Sequence, residues 1–274
     1  MKDILINEYS KISSGLIDLS RAVRNYATAL PEKLNAMEAI YLSNNPIYSD
    51  TEIRRMKYFR EAFSYKFQLS TLYLEELWSL THIGDYQITL KDVLGNIFDT
   101  HQFVNDGLLL PSFVFEGFIV QGSTFLDFYM LYMCSIFKID ETKRLNGKKF
   151  LNALELVVDD PYRDRAQKVR QYFEENVFGE RENKTIITNN WGELLRRLRN
   201  SIVHRDILIP DFENNVTLLE KIIGQWTEND VDLPCSRFSQ DVQNVIFYLI
   251  TTLAGIVYDL EWKPGPYKPG MWGY

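Results

Sequence analysis

The run Arg199-Asn200-Ser201-Ile202-Val203-His204 holds the residue types best suited to chemistry in this chain. His204 is one of three histidines, and histidine can move a proton near neutral pH. A guanidinium a helical turn and a half away can hold the charge that builds on phosphorus when a phosphodiester breaks, with no metal required. On a helix, Arg196, Asn200 and His204 recur every four residues as one polar stripe, beside the apolar stripe of Leu195, Leu198 and Ile202. Arg199 lies about 140° around the axis from His204, within the sweep of its long side chain. One helix can thus present a histidine, an amide and one or two guanidiniums to one pocket. The same spacing also fits a surface helix whose C-terminal cations, His204 and Arg205, complement the helix dipole.

The elements that must position these residues read as almost entirely helical. Apolar residues three and four apart predict a helix over Ile4 to Leu30, with Pro31 stopping it and opening a second one through Leu42. Asn44-Asn45-Pro46 marks a loop, and Ser49 or Asp50 can cap a long helix to about Leu80. Gly84-Asp85 is expected to break that helix, and a shorter one follows over Leu90 to Val104, before a turn at Asn105-Asp106-Gly107. Further helices are expected over Ser112 to Phe137, from an Asn146 cap through Leu156, and over Tyr162 to Phe178. Trp191 to His204, and Ser239 or Asp241 to Leu260, complete the set. Val216 to Trp226 supports helix or strand, and the proline-rich tail Trp262 to Gly270 cannot be helical. No internal repeat is visible. A soft boundary near Asn105 to Pro111 divides an N-terminal helical segment, 1–106, from a bundle over 107–274.

Ser112 to Phe137 is the most apolar stretch and is long enough to span a bilayer. Glu116, Gln121, Ser123 and Asp127 are costly at bilayer depth, so the central helix of a bundle is expected, with no membrane partner. Glu116, Val120, Ser123, Asp127, Met130 and Cys134 recur on one face of that helix. A polar seam on an apolar helix needs buried partners, and the arginines of Trp191 to His204 are one supply. Glu116 and Asp127 are therefore candidate supporting residues. The alternative places Glu116 near the helix start and Asp127 in solvent.

With 46% hydrophobic and 24% charged residues, the composition excludes general disorder. A net charge of −7 disfavours generic nucleic-acid binding. Cations nevertheless cluster from Lys143 to Arg170 (including Lys148 and Lys149) and again from Arg196 to Arg205. They form either a local basic surface suited to a defined RNA or solvated helix faces interleaved with Glu and Asp. Cys134 and Cys235 have neither the number nor the spacing of a disulfide framework or zinc site, and Met1 to Asn7 lacks the marks of a signal peptide. A cytoplasmic location with reduced thiols is expected. There is no glycine-rich phosphate loop, metal-ligand cluster or Gly-x-Ser-x-Gly elbow, so neither a metal nor a cofactor is expected.

Leu198-Arg199-Asn200-Ser201-Ile202-Val203-His204 resembles the signature of the HEPN superfamily of ribonucleases, in which arginine is followed by a polar residue, often asparagine, and then by histidine. The setting is similar: HEPN domains are helical bundles with the motif on a late helix packed against a long preceding one. The resemblance covers roughly Pro111 to Leu260, and implies an all-α, HEPN-like helical bundle with an N-terminal helical extension. The implied activity is metal-independent RNA cleavage, in which the ribose 2′-OH attacks its own phosphate to leave a 2′,3′-cyclic phosphate and a 5′-OH. DNA lacks that hydroxyl. By this resemblance His204 is general base, or acid to the leaving oxygen, and an unperturbed pKa of about 6.5 makes both forms available. Arg199 stabilises the phosphoryl charge, Asn200 orients the phosphate or His204, and Arg196 supports substrate binding.

One histidine serves poorly as both base and acid in a single turnover. HEPN proteins bring two motifs together across a two-fold axis, which implies a homodimer with a composite site. His82 and His101 are isolated in their local patterns and read as structural. A toxin or anti-phage defence role is implied, with RNA as substrate and an antitoxin or regulatory partner. Asp206 stands where the subgroup paired with small nucleotidyltransferase antitoxins often carries tyrosine, which argues against that partnership. The alternative function is a catalytically silent HEPN-like module that binds RNA, a nucleotide or a protein.

Overall fold

A computed structural model of the chain describes residues 29–45, 47–94, 100–140, 145–158, 162–179, 190–204 and 235–259. These contain seven helices and no strand, so the all-α class is the observed one. In chain order they are α1 (29–44), α2 (Asp50–Leu94), α3 (Thr100–Ile136), α4 (Gly147–Glu155), α5 (Arg163–Asn176), α6 (Trp191–His204) and α7 (Cys235–Tyr258). The stretch Val216 to Trp226, the tail from Trp262, Lys143, Arg144, Arg205, Asp206 and nearly all of the first expected helix lie outside the described residues.

Local chemistry explains the starts. The Ser49 backbone N–H donates to Glu52 Oε2 at 2.7 Å, its hydroxyl lies 2.8 Å from the same oxygen, and the Glu52 N–H returns to Ser49 Oγ at 3.4 Å. This reciprocal capping box opens α2. The hydrogen bonds from Ser49 favour the charged form and hold the Glu52 carboxyl below its usual range. At α4, Asn146 Oδ1 accepts from the Lys149 N–H at 2.9 Å, as its expected capping role requires.

Several expected boundaries are corrected. The described helix α1 runs through Pro31 without a break there. Gly84-Asp85 does not end α2, which continues to Leu94, and the described parts of Leu90 to Val104 belong to α2 and α3. The expected turn at Asn105-Asp106-Gly107 lies inside α3. An interior glycine costs a helix about 1 kcal/mol, whereas a break forfeits cooperative propagation and requires a new nucleus. The soft boundary at 106/107 consequently falls within α3, and residues on both sides of it share one core. Helix α7 begins at Cys235 rather than Ser239 or Asp241 and ends at Tyr258.

Helix α3 is the centre of the bundle, against α2, α6, α7 and α4. From Val114 to Ile136 it runs largely through the interior: Phe118, Ile119, Phe125, Leu126 and Met130 are fully buried. Across the α2–α3 contact, the Phe63 ring meets those of Phe125 at 5.9 Å, Tyr129 at 5.0 Å and Tyr132 at 5.2 Å. At its end, Lys138 adopts φ 55, while the Ile139 N–H reaches back to Cys134 O at 2.9 Å in a left-handed helix cap. Lysine is held in that uncommon conformation by its ammonium, which donates to Ile47 O at 2.9 Å, pairs with Glu52 at 3.3 Å and lies over the Tyr48 ring.

A buried polar knot joins four helices. Glu38 of α1 takes Arg60 of α2 on one oxygen and the Tyr132 hydroxyl of α3 on the other, the latter at 2.5 Å, and Tyr258 of α7 bonds to Tyr132. Burial raises the Glu38 carboxyl above its ordinary range, more than Tyr132 and Arg60 lower it. Among the described residues, one segment, Phe238–Tyr258, is long and apolar enough to cross a bilayer, with mean hydropathy 1.3, and 56% of it is buried inside the protein.

Candidate functional site

Helix α6 is set by its apolar stripe and by one glycine. Trp191, Leu195 and Leu198 are buried against the bundle. A Cβ on Gly192 would stand 2.6 Å from Val177 Cγ1, 2.9 Å from the Phe178 ring and 3.0 Å from Leu126. Only glycine lets the first turn of α6 approach the end of α5 this closely, and the Gly192 N–H donates to Val177 O at 3.0 Å there.

That placement turns the polar side of α6 onto α3. Asp127 receives Arg196 Nη2 on Oδ1 at 2.9 Å and Arg199 Nη1 on Oδ2 at 2.7 Å. One carboxylate therefore holds two guanidiniums, each on its own oxygen. The three side chains are 32%, 11% and 20% exposed for Asp127, Arg196 and Arg199, so the pairs are largely shielded from water. Arg196 also contacts Met130 Sδ at 3.9 Å and lies 5.3 Å over the Phe178 ring, which in turn stacks on the ring of Phe173. Arg197, on the outer side, pairs with Glu193 at 3.1 Å.

The clamp forms one wall of a cleft of about 850 Å³ between α4, the end of α5 and α6. Lys148 and Lys149 line it from the first turn of α4, with Asn146 and Asn152; Glu174 and Phe178 line it from α5. Helix α6 contributes Glu193, Arg196, Arg197, Arg199 and Asn200. Five cationic side chains face three carboxylates, so the cleft is locally basic although the chain carries net charge −7. The N-terminal end of α4 adds its partial positive charge on the same side. Elsewhere the interleaved reading of the cations holds: on α5, Lys168 pairs with Asp164 at 2.7 Å and Arg170 with Glu174 at 2.9 Å.

Of the sequence-derived candidates, Arg196, Arg199 and Asp127 are in direct contact, and exposed Asn200 lines the same cleft. His204 closes α6 one turn after Asn200, but its side chain lies outside the described part, as do those of His82 and His101. Glu116 does not join them. It lies about 16 Å before Asp127 along α3, at 1.5 Å per residue, and is not part of the cleft wall. Ser123 is buried with no hydrogen-bond partner for its hydroxyl among the described residues, and Arg196 and Arg199 of α6 meet the polar seam at Asp127 and Met130. Phe178, Asn152 and Glu193 were not foreseen as cleft residues. No local pattern marks them, because they acquire that role only when α4, α5 and α6 meet.

Comparison with known proteins finds no matching family model, no curated relative and no similar solved structure.

Proposed function

We propose that this chain is a metal-independent endoribonuclease of HEPN type, acting as a toxin or anti-phage defence effector. The observation that carries the reading is the Asp127 clamp: it holds Arg199 and Arg196 at the wall of a basic cleft, with Asn200 beside them and His204 one turn further on the same helix. A guanidinium has five N–H donors, and Asp127 accepts one from Arg199 in a fixed geometry. The remaining donors can meet the non-bridging oxygens of a phosphate, and an oriented donor stabilises developing charge without reorganising.

In the proposed reaction the 2′-oxygen of RNA bonds to phosphorus as the bond to the 5′-oxygen breaks. One imidazole takes the 2′-OH proton while a second gives a proton to the leaving oxygen. A homodimer that brings two His204 side chains to one phosphate supplies both. The products are a 2′,3′-cyclic phosphate and a 5′-OH, and DNA is not a substrate. An antitoxin or another regulatory partner, in a cytoplasmic setting, belongs to the same proposal.

A second reading, a silent HEPN-like module that binds RNA, a nucleotide or a protein, is favoured by the pairing of Arg199 with Asp127. A counter-ion already neutralises part of the charge that catalysis would use. Incubating the full chain with RNA and with DNA of matched sequence in EDTA separates the two. The ribonuclease reading expects cut RNA and intact DNA, and growth inhibition in cells that His204→Ala relieves. Retention of RNA without cleavage supports the silent module.

A further inference from the structure

The outward face of α2 carries a pattern that the cleft chemistry does not use. Tyr58, Ala62, Tyr65, Leu69 and Leu72 recur at four- and three-residue steps and so share one narrow sector of the helix. Tyr58, Tyr65 and Leu72 are 60%, 56% and 49% exposed, while Met56, Phe63, Phe67 and Leu74 on the opposite side are buried in the core. A single exposed apolar residue is ordinary, but large ones at strict seven-residue spacing form the seam by which helices pair. Exposed Arg54 and Glu76 lie in the same sector, one turn beyond the two ends of the stripe. The exposed members of the stripe and its flanking charges are balanced about Tyr65: Tyr58 and Leu72 are equidistant from it, and so are Arg54 and Glu76.

We propose that α2 pairs antiparallel with α2 of a second copy of this chain, about a two-fold axis through Tyr65. In that arrangement Tyr65 meets its own counterpart, Tyr58 meets Leu72, and Arg54 meets Glu76 at both ends at once, as an isologous contact demands. A parallel pairing sets Arg54 against Arg54 and Glu76 against Glu76, so the charges select the antiparallel one. The seam is about 33 Å long and one helix wide, which puts the contact at the small end of specific interfaces, among weak and transient pairings.

This inference goes beyond the ribonuclease reading and does not depend on it. Helix α3 meets α2 through Phe125, Phe128 and Tyr132 and meets α6 through Asp127 and Met130, so pairing through α2 leaves the cleft uncovered. A composite site built from two α6 helices is a separate contact.

Sedimentation velocity of the full chain across about 1 to 100 µM tests it, the range being set by the size of the contact. Wild type should associate with rising concentration. Arg54→Glu and Glu76→Arg should each weaken association about tenfold, because each creates like-charge contact at both ends, and the double reversal should restore it. Tyr65→Cys, on the axis, should cross-link to its own copy on oxidation, whereas Tyr58→Cys, off the axis, should not. All of these positions are on the surface, and circular dichroism checks that the variants remain helical. A monomeric wild type throughout the range, single reversals without effect, a double reversal that fails to restore association, or no Tyr65→Cys cross-link would overturn the pairing.

Discussion

Asp127 is the residue on which the local chemistry turns, because it is the common counter-ion of Arg196 and Arg199. Asp127→Asn keeps the shape but removes the charge, leaving two mostly shielded guanidiniums without a carboxylate. The expected loss of stability is about 1 to 3 kcal/mol, below that for a fully buried pair because Asp127 retains some water contact, and urea unfolding measures it. RNA cleavage should fall further than stability explains, since Arg199 loses its orientation. Glu38 offers a pH-dependent counterpart. Its carboxyl is raised above the ordinary 4.5 by burial, so the folded state binds its proton more tightly than the unfolded state. Its contribution to stability is full below that value and is lost as pH rises through the folded-state pKa. Glu38→Gln cannot ionise, so thermal melts should show the wild type losing ground to this variant as pH climbs. The pairing of α6 arginines with α3 was legible in the sequence, because a three- and four-residue period placed Asp127 on a seam that needed a cation. The buried knot of Glu38, Arg60, Tyr132 and Tyr258 was not, because its members come from four helices with no shared local period.

Helices were legible where periodicity and caps agreed. Ser49 with Glu52, and Asn146 with Lys149, carry donor and acceptor at the spacing that a helix start requires. Breaks were read less well, since Gly84, Gly107 and Pro111 are weak helix formers whose local cost is outweighed by propagation from both sides. Two glycines inside helices give opposite predictions at this scale. Gly122→Ala adds a methyl in ordinary contact, 3.5 Å from Leu195, and should stabilise α3 by up to about 1 kcal/mol through helix propensity. Gly192→Ala drives a methyl into Val177, Phe178 and Leu126, and should cost about 1 to 3 kcal/mol by forcing α6 away from α5. Thermal or urea unfolding of the pair checks the contrast. If both variants stabilise, the close approach of α6 is not as described. Because Phe178 also lies under Arg196, Gly192→Ala should disturb the cleft, whereas Gly122→Ala should leave it intact.

For the whole molecule, the basic cleft and the outward face of α2 lie on different contacts of α3, so the proposed pairing and the proposed cleavage can be tested independently. On the ribonuclease reading, the locally basic cleft of this acidic chain should meet RNA through few phosphates, so affinity should weaken only modestly as salt rises. The proposed ribonuclease half-site on α6 is decided by the rate and end chemistry of RNA cleavage in EDTA, comparing wild type with His204→Ala and Arg199→Ala. The expected products carry 2′,3′-cyclic phosphate and 5′-OH ends, with about a 10²- to 10⁴-fold loss for His204→Ala and about 10²- to 10³-fold for Arg199→Ala. Absence of cleavage, or cleavage at an unchanged rate in His204→Ala, would contradict it.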